Sequence, residues 1–181
     1  MSFINAVIER LCYRIDPVAY SRKRGAKIGE QCELRGRYPF GSEPYLVSIG
    51  NHVRINSGVE FVTHDGSTWV LRGLAGTSTT FPKELAKADI FGKIVIGNNV
   101  QINTNAMILP GVTIGDNCII GAGAIVTKDI PSGCVAAGIP ARVIETVEEY
   151  YEKHQLREDL FWTKGLDRAT LKKKLKQHFM V

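Results

Sequence analysis

Through the middle third of the chain, apolar residues recur every six positions. From Ile96 to Pro131 the sequence reads IGNNVQ INTNAM ILPGVT IGDNCI IGAGAI VTKDIP. Its first column is Ile96, Ile102, Ile108, Ile114, Ile120 and Val126, and its fifth is Val100, Ala106, Val112, Cys118, Ala124 and Ile130. An amphipathic helix would repeat near 3.6 residues and a half-buried strand every second residue. A period of six, rich in Ile and Val and punctuated by Gly and Asn, predicts a parallel β-helix in which each unit supplies one short strand and one turn. Three units complete a triangular coil. The first column then points into the prism, and the fifth fits the narrower space near a corner. Gly97, Asn98, Asn99, Gly115, Asp116, Asn117, Gly121 and Gly123 fall at or near corners, where these residue types tolerate positive φ. Successive coils would hydrogen-bond at the inter-strand spacing of about 4.8 Å.

The same phase is present, less regularly, upstream. Ile28 and Leu34 are six apart, residues 36–46 break the phase with Gly and Pro, and Ile49, Ile55 and Phe61 restore it with Val53 and Val59 in the fifth column. The phase is lost again between Phe61 and Ile96. Residues 65–93 therefore predict a loop protruding from one corner, and long loops in compact domains are usually functional. Before the prism, Phe3, Ile4, Val7, Ile8, Leu11 and Ile15 share one face of a helix over 2–15, expected to pack on the prism and to end at Asp16-Pro17. Its polar face is not basic enough for a membrane-surface helix. After the prism, Thr146-Val147-Glu148-Glu149 reads as a capping box opening a helix over about 147–157, and a second helix runs from Asp167 to about His178. Phe161 and Trp162 between them call for burial. The expected organisation is an N-terminal helix over 1–17, a prism over 26–144 carrying the loop 65–93, and a helical extension over 145–181.

Composition adds little to this picture. A length of 181 residues suits one domain, and 8% aromatic residues suits a core of Ile, Val and Ala. No apolar run is long enough for a bilayer and no signal-peptide pattern is present. The four cysteines (Cys12, Cys32, Cys118, Cys134) have no metal-type spacing, and a reducing cytoplasm is expected. The net charge of +5 gathers in Arg22-Lys23-Arg24 and Lys172-Lys173-Lys174. Without interleaved aromatics or a nucleic-acid motif these read as solvated faces, and no nucleic-acid partner is expected. A basic surface would also suit an anionic small molecule.

One histidine stands out. His64 lies where a rigid coil meets the long loop, a place where sites are commonly built. His52 sits inside a repeat and reads as a surface or corner residue, and His154 and His178 lie in the tail without a partner pattern. The hexapeptide run, Thr63-His64 at the loop's start, Gly123 to Pro131, and Ala137-Gly138-Ile139-Pro140-Ala141-Arg142 together resemble the hexapeptide-repeat acyltransferases, in particular sugar acetyltransferases of the maltose, galactoside and nodulation types. The resemblance covers about residues 28–145, and the stretch VTHDGST and the tail are also similar to capsule and lipopolysaccharide acetyltransferases.

This resemblance implies a left-handed parallel β-helix, against the usual right-handed crossover. It implies acetyl transfer from acetyl-CoA to a sugar hydroxyl, by direct transfer, with His64 as general base. It implies a homotrimer with each site between two prisms, and no metal. Glu60, Asp65 and Asp89 are the candidates to orient His64, and the sequence does not choose among them. Thr104 and Ala122 match backbone contacts to the pantetheine arm, while Thr127, Lys128 and Arg142 match positions near the adenosine and phosphates. Gln101-Ile102-Asn103 stands where the family often has Trp-Ile-Gly, which bears on the acceptor side. The alternatives left open are an amino-sugar or streptogramin-type acceptor, a metal hydratase, which needs three histidine ligands per zinc, and a non-catalytic scaffold.

Overall fold

The computed structural model describes residues 3–180, so Ser2 of the expected first helix and Val181 of the tail lie outside the described residues. The chain forms a first compact unit extending to Glu148 and a second from Glu149.

The first unit is a parallel β-helix of three flat faces. The first face stacks Lys27–Ile28, Val47–Ile49, Ile94–Ile96 and Thr113–Ile114. The second stacks Glu33–Leu34, Arg54–Ile55, Gln101–Ile102, Ile119–Ile120 and Cys134–Gly138. The third stacks Glu60–Phe61, Met107–Ile108 and Ile125–Val126. Registers are in phase, so like sits on like: Ile49 on Ile96 and Ile96 on Ile114, Ile55 on Ile102 and Ile102 on Ile120, Phe61 on Ile108 and Ile108 on Val126. All twelve first- and fifth-column residues from Ile96 to Ile130 are buried, none more than 5% exposed. Each fully buried aliphatic of this kind contributes about 1.5–3 kcal/mol. That repeated burial, not strand length, holds strands of two or three residues together.

The corners divide their work more finely than the sequence suggests. Positive φ is carried by Gln31, His52, Asn99 and Asn117 at one corner and by Gly58, Asn105 and Gly123 at another. Gly97 and Gly115 do not have positive φ. Gly97 is glycine because a Cβ there would lie 2.7 Å from the Gly115 carbonyl carbon in the next coil. The Ile-Gly pairs therefore mark close approach between stacked corners. The phase break over 36–46 is not idle either: it delivers Phe40, which is fully buried and stacks on Phe61 at 5.2 Å.

Both rims of the stack are closed. Below the first coil lie helices α1 (Phe3–Ile15) and α2 (Pro17–Lys23), the latter capped by Asp16, whose carboxylate accepts from the Ala19 amide. Arg22 donates to the Ile28 and Gly29 carbonyls at 2.9 and 2.7 Å, and the Tyr13 hydroxyl donates to Arg37 O at 3.2 Å. These carbonyls belong to the first coil, which has no coil beneath it. Against expectation, Val7, Leu11 and Ile15 are exposed, and Tyr13 is buried; the side chains of Phe3, Ile4 and Ile8, expected on the same face, lie outside the described ones. Tyr13 can pack because it meets Tyr20 and Tyr38 edge-on at 5.8 and 5.6 Å. At the other end Cys134–Gly138 turns back into Ala141–Thr146, an antiparallel partner that ends the second face.

The protruding segment 65–93 is ordered, not irregular. His64–Asp65 pairs antiparallel with Ile90–Phe91, and between them lie helix α3 (Thr68–Leu74) and a 3-10 turn (Lys83–Lys87). The hairpin base is tight: Gly92 N donates to Thr63 O at 2.9 Å, and a Cβ on Gly92 would fall 2.3 Å from Gly111 N.

The second unit holds most of α4 (Val147–Gln155) and all of α5 (Arg168–His178), with Asp167 capping α5 through the Ala169 and Thr170 amides. Phe161 packs on His178 and Phe179 at 4.9 and 6.2 Å. Trp162, expected to be buried, is 84% exposed.

Candidate functional site

His64 leaves the third face at the corner where the hairpin begins. Its cross-strand partner is Phe91, and the two rings stack at 4.6 Å and 22°. The same register carries Asp89, two residues before Phe91, to the imidazole edge: His64 Nε2 lies 3.0 Å from Asp89 Oδ1. An ionised carboxylate only accepts, so this pairing places the proton on Nε2 and leaves the Nδ1 lone pair open. Both side chains are about one-third exposed, so the pair is reachable from solvent.

Asp89 is itself held. Thr68 Oγ1, on a buried residue at the start of α3, lies 3.2 Å from the same Oδ1. Arg72 Nη2 also donates to Oδ1, while Arg72 Nε donates to Ala88 O at 2.8 Å. The hydrogen bond to His64, that from Thr68 and the Arg72 charge hold the Asp89 carboxyl below the usual carboxylate range. Asp65 is also held low, chiefly by hydrogen bonds from Ser67, whose amide it accepts at 2.9 Å. Its carboxylate therefore faces its own turn. Glu60 lines the cleft beside His64 but makes no hydrogen bond to it. Of the three carboxylates that sequence alone left open, the geometry joins Asp89 to the histidine.

That cleft has a volume of about 380 Å³ and is walled by Tyr38, Glu43, Glu60, Thr63 and His64. Glu43 is fixed there by the Thr63 hydroxyl, which donates to it at 3.0 Å. His52 stands at a different corner, at φ +55, with Nδ1 2.8 Å from Asn99 Oδ1.

The residues matched to the acyl donor lie apart from His64 on the same chain. Thr104 and Ala122 occupy exposed corners of adjacent coils, linked by Gly123 N donating to Thr104 O at 2.9 Å. They enter the third face, whereas His64 leaves it, so the width of the face separates them. Two to four extended residues at about 3.3 Å each place that separation on the order of 10 Å. Thr127 and Lys128 are exposed on the turn that leaves the third face, and Arg142 is exposed on the closing strand, its Nη1 on Ala141 O at 2.8 Å. Small exposed corner residues, with cations further along the chain, suit an extended polar chain ending in phosphates. At the position of the family's Trp-Ile-Gly, Asn103 bridges coils: its Nδ2 donates to Ile120 O at 2.9 Å, and Asn56 Nδ2 reaches its Oδ1 at 3.3 Å. The side chain that replaces glycine is thus taken up by the stack.

Sequence reasoning missed Thr68, Arg72 and Phe91. Phe91 could have been read from the hairpin register had the strands been visible. Nothing in the spacing of Thr68 or Arg72 announces a shared partner 21 and 17 residues away.

Comparison with known proteins bears on this arrangement. The family described as bacterial transferase hexapeptide (six repeats) matches residues 93–128. Protein CapG of Staphylococcus aureus is 46% identical over 148 residues, covering 81% of this chain and 79% of that protein. Galactoside O-acetyltransferase of Escherichia coli K12 is 44% identical over 118 residues, 65% of this chain and 52% of that enzyme. Among solved structures, a galactoside acetyltransferase in complex with coenzyme A superposes with a TM-score of 0.52 at 30% identity, covering 78% of this chain and 74% of that one. A maltose O-acetyltransferase from Clostridium difficile 630 superposes with a TM-score of 0.54 at 26% identity, over 71% and 73% of the two chains.

Proposed function

The chain belongs to the hexapeptide-repeat family of sugar O-acetyltransferases, a left-handed parallel β-helix, and on that premise we propose that it transfers an acetyl group from acetyl-CoA to a sugar hydroxyl. The resemblance of VTHDGST and the tail to capsule and lipopolysaccharide acetyltransferases favours an acceptor in surface-polysaccharide synthesis.

The observation that carries the catalytic reading is the His64–Asp89 pair at the edge of an open cleft. A sugar hydroxyl is a weak nucleophile at neutral pH. His64 Nδ1 takes its proton as the oxygen attacks the thioester carbonyl, forming the new C–O bond. Asp89 keeps the tautomer and stabilises the imidazolium. His64 then returns the proton to the departing thiolate as the C–S bond breaks, leaving the acetylated sugar and CoA. No covalent enzyme intermediate is needed. Thr104, Ala122, Thr127, Lys128 and Arg142 are the residues proposed to hold the donor. The cleft beside His64, with the Glu43 and Glu60 carboxylates, offers hydroxyl-binding groups for the acceptor.

The separation of His64 from Thr104 and Ala122 across one face supports assembly as a homotrimer. In that assembly the histidine of one subunit faces donor bound largely by the next. The decisive experiment combines sedimentation analysis with CoA release from acetyl-CoA in a panel of sugar acceptors, for the parent protein, His64→Ala and Arg142→Ala. The expected result is a trimer whose thermal midpoint rises with CoA, less so in Arg142→Ala. His64→Ala should bind CoA normally and lose turnover. A monomer with full activity would defeat the shared-site reading, and full activity in His64→Ala would defeat the base.

A further inference from the structure

We propose that Arg72 is a positioning residue for the acetyl transfer, acting through Asp89 to fix which nitrogen of His64 meets the acceptor. The inference rests on the reading of His64 as base.

A single oxygen, Asp89 Oδ1, is approached by His64 Nε2, Thr68 Oγ1 and Arg72 Nη2. A carboxylate on a short side chain at a half-exposed site would otherwise turn about χ1 and χ2 and exchange its partners with water. Arg72 prevents this in two ways. Its Nη2 holds the carboxylate, and its Nε holds the carbonyl of the preceding residue, Ala88. The planar guanidinium thus grips side chain and backbone of adjacent residues in one fixed geometry, which a lysine ammonium cannot reproduce. Arg72 lies on α3 and Asp89 on the far side of the loop, so the contact also ties the two halves of the protruding segment together. With Oδ1 fixed, the Nε2–H direction is fixed, the ring cannot turn over, and Nδ1 stays aimed outward. Phe91 stacked on the ring closes off the remaining rotation.

A second consequence is electrostatic. The charged groups around His64 are Asp89 and Arg72 from the loop, Asp65 next in the chain, and Glu43 and Glu60 lining the same cleft, where Tyr38 adds a neutral phenol. Four of these five are acids, so Arg72 is the cation that offsets them. Removing it leaves Asp89 uncompensated and favours protonation of the base. Removing the Asp89 charge does the opposite.

The test uses the full chain. Arg72→Ala, Arg72→Lys, Asp89→Asn and the double variant Arg72→Ala/Asp89→Asn are compared by kcat, by KM for acetyl-CoA, by pH–rate profile, and by NMR titration of the His64 imidazole, assigned with His64→Gln. The expected result is a fall in kcat of about tenfold or more for Arg72→Ala, with KM for acetyl-CoA unchanged. Arg72→Lys should recover only part of it. The acid limb of the profile should move to higher pH in Arg72→Ala and to lower pH in Asp89→Asn. In the Asp89→Asn background the Arg72 change should cost little more, since both act on one contact. Additive losses, or an unchanged kcat, or acid limbs that do not move apart, would overturn the proposal. If Arg72→Ala fails to fold, the same comparisons are made with Arg72→Gln, which also removes the charge. The imidazole titration separates the two ideas. Opposite displacements there with full activity in His64→Ala uphold the clamp and reject the base.

Discussion

His64 gives Nε2 to Asp89 and leaves Nδ1 free of it, and most of the proposed chemistry follows from that asymmetry. Replacing it with alanine should lower kcat by about 10²- to 10⁴-fold, the usual contribution of a positioned general base, while CoA still shifts the thermal midpoint. Stopped-assay turnover beside a thermal scan checks both halves. Asp89 makes a separate, pH-dependent prediction. Its carboxyl is held below the ordinary value near 3.9, so its pairing contributes stability that is fully present above that value and is lost as pH falls through the folded-state value. The stabilisation that separates the parent protein from Asp89→Asn in a thermal scan should therefore shrink below about pH 4, as the carboxylate takes up its proton. A different residue-scale prediction concerns His52, held at φ +55. A β-branched side chain is strained there, so His52→Val should cost roughly 1–2 kcal/mol, whereas His52→Asn should be tolerated. Urea unfolding of the two variants distinguishes them.

At the scale of elements, the stacked strands were legible and the protruding segment was not. Six in-phase repeats leave little freedom: Ile102, Ile108 and Ile114 must face inward, and they are fully buried. Ile108→Ala should cost about 2–5 kcal/mol by cavity formation, and Ala124→Val, in the narrow column, about 1–3 kcal/mol by overpacking. The segment 65–93 hides its order for physical reasons. Its strands are two residues long and α3 is seven, too short for either to show a period. Asp89 could be named as one of three candidates from its type and place, but only the register of the hairpin, fixed where Gly92 crowds Gly111, sets it against His64. Tyr13 was invisible for a related reason. The helical periodicity pointed to a face that includes Val7, Leu11 and Ile15, which are exposed, while Tyr13 is buried against other tyrosines.

For the molecule as a whole, charge and assembly are distributed unevenly. Residues 160–181 hold six lysines and arginines against one aspartate, a surplus equal to the net +5 of the entire chain. The rest of the protein is thus balanced, and the surplus lies on α5 and its approach, where Lys172-Lys173-Lys174 reads as a solvated face. The prism raises a different question, that of where it ends. Coils that hydrogen-bond only upward and downward carry no instruction about number, and each would accept another above or below. Arg22 and Tyr13 occupy the lower carbonyls, and the returning strand Ala141–Thr146 covers the upper edge of one face. Those few contacts set a finite length on a structure whose repeat is otherwise that of a polymer. A chain shortened to begin at Ala26 should consequently expose one open rim and pair through it with a second copy. Sedimentation should show a mass doubled over that of the parent assembly, and a bared rim without association would show that length is set elsewhere.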